Sequence, residues 1–198
     1  GEIEGAVCAQ KVIDTLATQL WRRPLEATEK TSLLNIYKLG LASSPSEGMT
    51  LLISNLLMSP YFLYRSEIGK SGALTPHELA SALSFFFWGT SPDAALQALA
   101  ASGELTKDAT LVAEAERLLA NARSKFASVE FANAWLEGRA ILGASKDETL
   151  FPQYTQDVRN SMAAEAENTF EYLMKQPNGT FESLFTADFS IGDDKILL

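Results

Sequence analysis

The chain has 198 residues and a formal net charge of −9; 46% of its residues are hydrophobic and 21% are charged. This composition is typical of a globular protein with a substantial core, and it excludes a disordered or fibrous chain. The negative charge argues against nucleic-acid binding, which requires a basic surface that neutralises phosphates. A single cysteine, Cys8, excludes an internal disulfide and a cysteine-based zinc site.

Helical periodicity dominates the start of the chain. Apolar residues such as Val12 and Leu16 recur at helical spacing and predict helices over residues 5–21 and 26–41. Pro24 separates the two helices, because the residue before a proline is pushed out of the α-helical region. The longest apolar run is too short to span a bilayer, and we expect no transmembrane segment. No signal peptide opens the chain, so we expect the sequence to be part of a longer protein.

Ser/Thr-Pro pairs mark the next helix starts at nearly equal intervals. The hydroxyl side chain can cap a helix while the proline occupies the first turn, where its missing N–H costs nothing. We therefore predict helices that begin after Ser44, Ser59, Thr75 and Ser91. The helix after Ser44 is apolar nearly all round, and we expect it to be central and buried.

The lengths and faces of these helices follow from the apolar pattern. The helix after Ser59 is predicted to reach Ile68, and the helix after Thr75 to turn Phe86 and Phe87 inward. Later helices are predicted over residues 92–103, 107–121, 124–137 and 152–175, the last of them stopped by Pro177. No strand-like alternation competes with this pattern. We predict an all-α fold of about eight to ten short helices, in one compact bundle or in two lobes.

A glycine-containing connector is the best candidate for an internal boundary. Residues 69–72 read Gly-Lys-Ser-Gly, a flexible sequence between two capped helices. We predict an N-terminal helical domain over residues 1–68, a linker over 69–73 and a C-terminal helical domain over 74–198. An alternative is that the two domains pack as one unit.

No motif in the sequence predicts catalysis. His77 is the only histidine, and a zinc-protease motif would need a second one where Ser81 stands. In the first turn of a capped helix, His77 is expected to be exposed. The glutamates of the 152–175 helix lack the Glu-x-x-His pairs of a di-metal site, and a solvated helix face is the favoured interpretation. We assign no catalytic, cofactor-binding or metal-binding residue to this chain.

Aromatic clusters are the remaining candidates for function, because three consecutive phenylalanines followed by a tryptophan cannot all face one side of a helix. Some of these rings must therefore face a second helix or else a partner; core packing is the favoured interpretation, and a docking surface or ligand groove is the alternative. The predicted interaction surface comprises Tyr61, Tyr64, Phe87, Trp88 and Trp135. Nearby charged residues are expected to form partly buried structural ion pairs: Arg22, Arg23, Arg65 and Glu67.

Several short motifs are specific in combination. They read WRRPL at residues 21–25, LMSPYFLYRSE at 57–67, LTPHELASALSFFFWG at 74–89, AWL at 134–136 and LFP at 150–152. Together they resemble two families of domains of unknown function that occur in tandem in exported or surface proteins of planctomycetes and other bacteria. The resemblance covers most of the chain and departs from the family pattern at residues 191–195.

The resemblance implies a segment from the middle of a long exported polypeptide, periplasmic or at the cell surface, that also carries c-type cytochrome-like modules. Haem c is then expected elsewhere in the parent protein, because this chain has no Cys-x-x-Cys-His motif. The leading hypothesis is a non-catalytic helical scaffold or interaction module that contacts other domains of the same polypeptide, a cytochrome-like module among them.

Two alternatives stay open at this point. The chain could belong to an oxidative or polysaccharide-related enzyme whose active site lies in domains outside it. It could instead be a small-ligand or glycan-binding module that uses Trp88 or Trp135, since aromatic rings are common in such sites.

Overall fold

The computed structural model describes residues 2–176 and 178–195. Within these ranges the regular elements are helices and no strand forms, which confirms the predicted all-α class. The described residues contain eleven α-helical segments, more than predicted, because a π-helical turn divides the first helix and a further four-residue helix forms at Ser183–Thr186. The chain forms two compact units, Gly1–Arg117 and Leu118–Leu198, and the predicted linker at residues 69–73 lies inside the first unit.

The first unit opens with a nearly continuous helical stretch. α1 (Glu2–Val12) leads through a π-helical turn (Ile13–Ala17) into α2 (Thr18–Trp21), and these are followed by α3 (Ala27–Leu41) and α4 (Pro45–Met58). Their inward faces form one apolar core, whose buried members are Ala9, Ile13, Ala17, Trp21, Leu25, Leu33, Tyr37, Leu52 and Leu56. This core fixes the end of α2, where the candidate site begins.

α4 is not the wholly buried helix that its composition predicted. Leu52 and Leu56, four residues apart, are buried against the core, whereas Leu51, Leu57 and Met58 on the remaining faces are exposed. α4 therefore covers α3 with one face only, as helices at the edge of a small core do.

The Ser/Thr-Pro pairs cap three of the four predicted helices. Ser44 caps α4, Ser59 caps α5 (Pro60–Leu63) and Thr75 caps α6 (Pro76–Trp88), each through a side-chain oxygen that accepts a main-chain N–H. Ser91 does not cap a helix, because the carboxylate of Asp93 takes that role for α7 (Ala94–Ser102) and the helix begins two residues later.

The remaining corrections concern α5 and α6. α5 ends at Leu63 rather than near Ile68, and the chain is extended at Tyr64. The inward face of α6 runs through Ala80, Ser84 and Trp88. Phe86 lies about half a turn away from that face and is 71% exposed, contrary to its predicted burial. A 3₁₀ turn (Glu104–Thr106) and α8 (Asp108–Ala120) follow.

The second unit is built around two helices, α9 (Lys125–Leu136) and α10 (Gln156–Lys175). Val129 and Ala132 of α9 are buried, as are Phe170 and Leu173 of α10. A 3₁₀ segment (Gly138–Gly143) lies between α9 and α10 in the sequence, and α11 (Ser183–Thr186) comes after α10. α10 starts at Gln156 because Thr155 caps it. Pro177, predicted to stop this helix, lies outside the described residues.

Candidate functional site

A cavity of about 280 Å³ lies within the first unit, between the end of α2, the chain after α5 and the first turns of α6. It is called the arginine cavity below because three arginines face it. The lining residues are Trp21, Arg22, Arg23, Tyr61, Arg65, Ser66, Ile68, Thr75, His77, Glu78 and Ser81. The cavity therefore brings together Tyr61, from the predicted interaction surface, and the three arginines that were expected in ion pairs.

Arg22 is placed by the way α2 ends. The helix stops at Trp21, and Arg22 adopts the left-handed conformation with φ 58° and ψ 21°, which is uncommon for residues other than glycine. The residue is only 7% exposed. Its guanidinium donates to the main-chain oxygens of Tyr61 (2.7 Å), Tyr64 (2.8 Å), Leu20 (3.1 Å) and Phe62 (3.4 Å). Most of these acceptors are the free carbonyls at the end of α5, which attract cations.

The ion pair expected at Arg22 is therefore corrected. Among the described residues its hydrogen-bond partners are neutral carbonyl groups and no carboxylate, because the left-handed turn directs the side chain to the end of α5. Burial, and to a smaller degree the charge of Arg65, lower the pKa of Arg22. A guanidinium nevertheless stays protonated in a protein, so a positive charge is buried here.

Arg23 forms a true ion pair. Its Nη1 and Nη2 atoms donate to both carboxylate oxygens of Glu29 at 2.9 Å and 2.7 Å. These hydrogen bonds raise the pKa of Arg23 and lower that of Glu29, in each case against the opposing effect of burial. The guanidinium also lies over the ring of Tyr61, 4.5 Å from its centroid, while Tyr61 and Trp21 pack at 5.0 Å. Arg23 thus holds the aromatic wall of the cavity.

Arg65, in the extended chain after α5, is the third arginine that lines the cavity. Its guanidinium lies 5.2 Å from the ring centroid of Phe85, and that of Arg22 lies 5.7 Å from the same centroid. The Nε atom is 3.8 Å from Glu67 Oε1, and both side chains are nearly half exposed. Such a pair is weak, since solvent screens it. Both guanidinium groups are therefore within cation–π distance of the same ring, and the charge of Arg65 acts on Arg22.

The first turn of α6 supplies the opposite wall. Glu78 accepts hydrogen bonds from the amides of Ile68, Gly69 and Thr75 at 3.0, 3.1 and 2.8 Å. Desolvation by burial would raise the pKa of Glu78, but the hydrogen bonds from these amides and from the Thr75 side chain lower it overall. The carboxylate is thereby committed to main-chain amides and ties the chain after α5 to α6.

His77 is more enclosed than predicted. It is half-buried rather than exposed, and its Nδ1 atom is buried without a hydrogen-bond partner among the described residues. Burial lowers the pKa of His77, with a hydrogen bond to the Gln97 side chain opposing that shift. The imidazole is therefore neutral at pH 7, and Nδ1 is available to a ligand.

A second feature, called the aromatic groove below, lies in the second unit and has a volume of about 520 Å³. Its lining residues are Phe131, Trp135, Phe170, Leu173, Met174, Gly179, Thr180, Phe181 and Leu184. Trp135 is 41% exposed, and its ring packs at 5.5 Å against Phe181 and at 5.9 Å against both Phe131 and Phe185. The groove therefore presents connected aromatic faces to solvent.

The other predicted interaction residues are scattered. Tyr64 is exposed and contributes its main-chain oxygen to Arg22. Phe87 is half-buried and packs edge-on against Phe86 at 4.9 Å. Trp88 is only 5% exposed, with the guanidinium of Arg117 at 5.7 Å from its ring centroid. Trp88 is thus corrected from a surface residue to a buried one, because it continues the inward face of α6.

Sequence reasoning missed Trp21, Glu78, Ser81 and, as a site residue, His77. The capping box formed by Thr75 and Glu78 was the available signal, because it fixes the first turn of α6 in space. The capping box did not reveal that Trp21, Arg22 and Arg23, at and just after the end of α2, line a cavity together with that turn. The cavity therefore could not be assembled from local patterns.

The carboxylates of α10 are engaged in local contacts. Glu171 pairs with Lys125 at 2.9 Å and with Lys175 at 2.5 Å, and Glu167 accepts a hydrogen bond from Asn133 at 2.6 Å. Over residues 2–176 and 178–195, no group of three or more His, Cys, Asp or Glu side chains is placed to hold a metal ion. Across the same ranges, no helix has both the length and the apolarity needed to cross a membrane.

Comparison with known families accounts for nearly the whole chain. A family model described as PSD4, protein of unknown function (DUF1592), matches residues 74–196. The chain belongs to this family. A second model, described as PSD5, protein of unknown function (DUF1595), matches residues 8–67, so the tandem arrangement inferred from the motifs is confirmed. Searches of curated proteins and of solved structures gave no significant match.

The two matched segments meet at the arginine cavity. Trp21, Arg22 and Arg65 belong to the DUF1595 segment, whereas His77 and Glu78 belong to the DUF1592 segment. The hydrogen bonds from Ile68 and Gly69 to Glu78 secure the short connection between the segments. The cavity is thus a joint product of both domains.

Proposed function

We propose that this chain is a non-catalytic helical interaction module that contacts other domains of a longer polypeptide. The aromatic groove is the observation that carries this proposal. Its exposed rings are held in mutual contact, and contiguous exposed aromatic surface commonly marks an interaction site. The tandem of DUF1595 and DUF1592 domains adds support, since such an arrangement is typical of a multidomain protein.

The proposed partner is a c-type cytochrome-like module of the same polypeptide. This choice rests on the family resemblance of the motifs at residues 21–25, 57–67 and 74–89, as does the proposed periplasmic or cell-surface location. Haem c would then be held by the partner module and not by this chain. In this arrangement the helical module positions the redox module, and Trp135 enters the interface.

A binding experiment tests the proposal. The 198-residue chain is titrated calorimetrically with the cytochrome-like domain encoded on the same reading frame. Replacing Trp135 with alanine is expected to weaken binding about tenfold or more, as for a central aromatic residue of an interface. The matched control is Phe86→Ala, which removes an exposed aromatic ring from the first unit and is expected to leave binding unchanged.

Three outcomes would overturn the proposal. The first is no binding to the cytochrome-like domain, and the second is equal weakening by Trp135→Ala and Phe86→Ala. The third is substrate turnover by the purified chain alone. Because Trp135→Ala also removes packing within the second unit, Phe181→Ala is included as a peripheral groove variant, and circular dichroism checks that both variants are folded.

A further inference from the structure

We propose that the arginine cavity binds the carboxylate group of a small organic acid. The first step is a charge balance over the groups that face it. Three arginines and one glutamate line the cavity. Glu29 neutralises Arg23 from outside the cavity, and Glu67 lies 3.8 Å from Arg65. Arg22 alone is buried with only carbonyl partners, so its charge has no hydrogen-bonded counter-charge among the described residues.

A buried cation without a counter-ion is costly, and an anion in the cavity removes part of that cost. The proximity of Arg65 increases the repulsion felt by Arg22, which strengthens the attraction for an anion. Carbonyl oxygens satisfy the hydrogen-bonding groups of a guanidinium, but they carry no net charge. Positive charge therefore remains concentrated at Arg22 and Arg65, whereas the negative charge of Glu78, which also lines the cavity, is committed to main-chain amides.

The second step concerns polar side-chain atoms that have no hydrogen-bond partner. The guanidinium of Arg65 makes none of the described hydrogen bonds, and its nearest carboxylate contact involves Nε at 3.8 Å. Nδ1 of His77 is buried and unpartnered. Arg65 can offer a planar pair of N–H groups to the two oxygens of a carboxylate. His77 is neutral, so its unpartnered Nδ1 atom can accept a hydrogen bond from a hydroxyl group on the body of the ligand.

The third step is the choice of a carboxylate over an inorganic anion. Trp21, Tyr61 and Ile68 give the cavity apolar walls, which suit the body of an organic molecule better than the hydration shell of phosphate or sulfate. A volume of about 280 Å³ accommodates a molecule the size of a monosaccharide acid or an aromatic acid. Glu78 also lines the cavity, and its charge disfavours a dianion more than a monoanion.

The test uses the full chain and calorimetric titration at constant ionic strength with four sodium salts: benzoate, D-glucuronate, phosphate and sulfate. Binding of benzoate or of D-glucuronate about tenfold or more tighter than binding of either inorganic anion is expected. The preferred organic acid distinguishes an aromatic body from a sugar body. Equal or tighter binding of phosphate or sulfate, or no binding in any arm, would overturn the proposal.

Variants connect the binding to the named groups. Arg65→Met is expected to weaken carboxylate binding about tenfold or more, because it removes a charge-assisted pair of hydrogen bonds. Arg65→Lys keeps the charge but loses the planar donor pair, so an intermediate loss is expected. The matched control is Lys107→Gln, which removes one positive charge at an exposed site of the same unit. If Arg65→Met and Lys107→Gln have the same effect, the assignment is wrong.

A spectroscopic readout separates contact from indirect effects. The side-chain nitrogen resonances of His77, the only histidine, are expected to shift on addition of the bound organic acid. At an acid concentration that half-saturates the unaltered chain, the shift should be several-fold smaller in Arg65→Met. A ligand that binds without moving the His77 resonances would place the site elsewhere and contradict the proposal.

Discussion

The guanidinium of Arg22 donates a hydrogen bond of 2.8 Å to the main-chain oxygen of Tyr64, and this contact joins residues 42 positions apart. Together with the bonds to Tyr61 and Phe62, it seals the end of α5 against the end of α2. Arg22 thus works as a helix C-terminal cap supplied from elsewhere in the chain. Arg22, held in place by these hydrogen bonds, lines the arginine cavity.

Replacing Arg22 with methionine is expected to destabilise the protein by about 3 kcal/mol. Methionine keeps much of the apolar stem but leaves several carbonyl groups without donors, and hydrogen bonds to charged groups contribute about 1.5–3 kcal/mol. Urea denaturation at pH 7 measures the free energy of unfolding. Arg139→Met serves as the control, because Arg139 is half exposed and pairs with Glu130 on the surface. A loss at Arg22 no greater than at Arg139 would contradict the capping role.

The helix starts were largely accessible from sequence, whereas the site was not. Ser44, Ser59 and Thr75 cap helices because the local sequence supplies both the hydroxyl acceptor and the proline of the first turn. Ser91 fails for an equally local reason, since the stronger acceptor Asp93 stands two residues later. Such competition is decided by a few hydrogen bonds and cannot be read from spacing alone.

The side-chain partners depended on long-range packing. Arg22 was expected in an ion pair, but the left-handed turn at that residue directs it to carbonyl groups, and no periodicity predicts a positive φ at an arginine. Trp135 meets Phe181 and Phe185 because α11 returns towards α9. Residues so distant in sequence come together only through tertiary structure. This is why the aromatic residues could be named but their grouping could not.

The close approach of α3 and α4 yields a second prediction. A Cβ atom added at Gly40 would lie 2.6 Å from both N and Cα of Gly48, so Gly40→Ala forces the two helices apart. We expect a destabilisation of about 2 kcal/mol or more, as for an overpacked core in which the backbone must move. The control is Gly143→Ala, where nothing lies within 4 Å of the added atom, and a change below about 0.5 kcal/mol is expected. Equal effects in thermal unfolding would refute the close packing.

The lowered pKa of His77 gives a pH-dependent prediction. The folded state binds the proton less well than the unfolded state, whose histidine has a pKa near 6.5. The stabilising contribution is thus complete above pH 6.5 and is lost as the pH falls through the lower pKa of the folded state. The pKa values of Glu29 and Glu78 are lowered from 4.5, so in the folded state both carboxylates stay ionised between pH 5 and pH 7.5. Unfolding free energies between pH 5 and 7.5 should therefore rise with pH, and His77→Gln should flatten the rise.

Direct titration by NMR complements this measurement, because His77 gives the only histidine signal of the chain. Its midpoint is expected below 6.5 in the folded protein. A midpoint at or above 6.5 would show that burial does not dominate the environment of the imidazole, and it would remove the basis for a neutral His77 in the arginine cavity.

The last prediction concerns Glu78, which joins the connection between the two family domains to α6. Glu78→Gln leaves one carbonyl oxygen where two carboxylate oxygens accept from Ile68, Gly69 and Thr75, so at least one amide loses its partner. A destabilisation of about 1–2 kcal/mol is expected, together with faster hydrogen exchange at the amides of Ile68 and Gly69. Glu47→Gln is the matched control, because Glu47 holds the same position in α4 while its carboxylate makes no return bond to Ser44 among the described residues. Unchanged exchange at Ile68 and Gly69 in Glu78→Gln would show that the connection is held by other contacts.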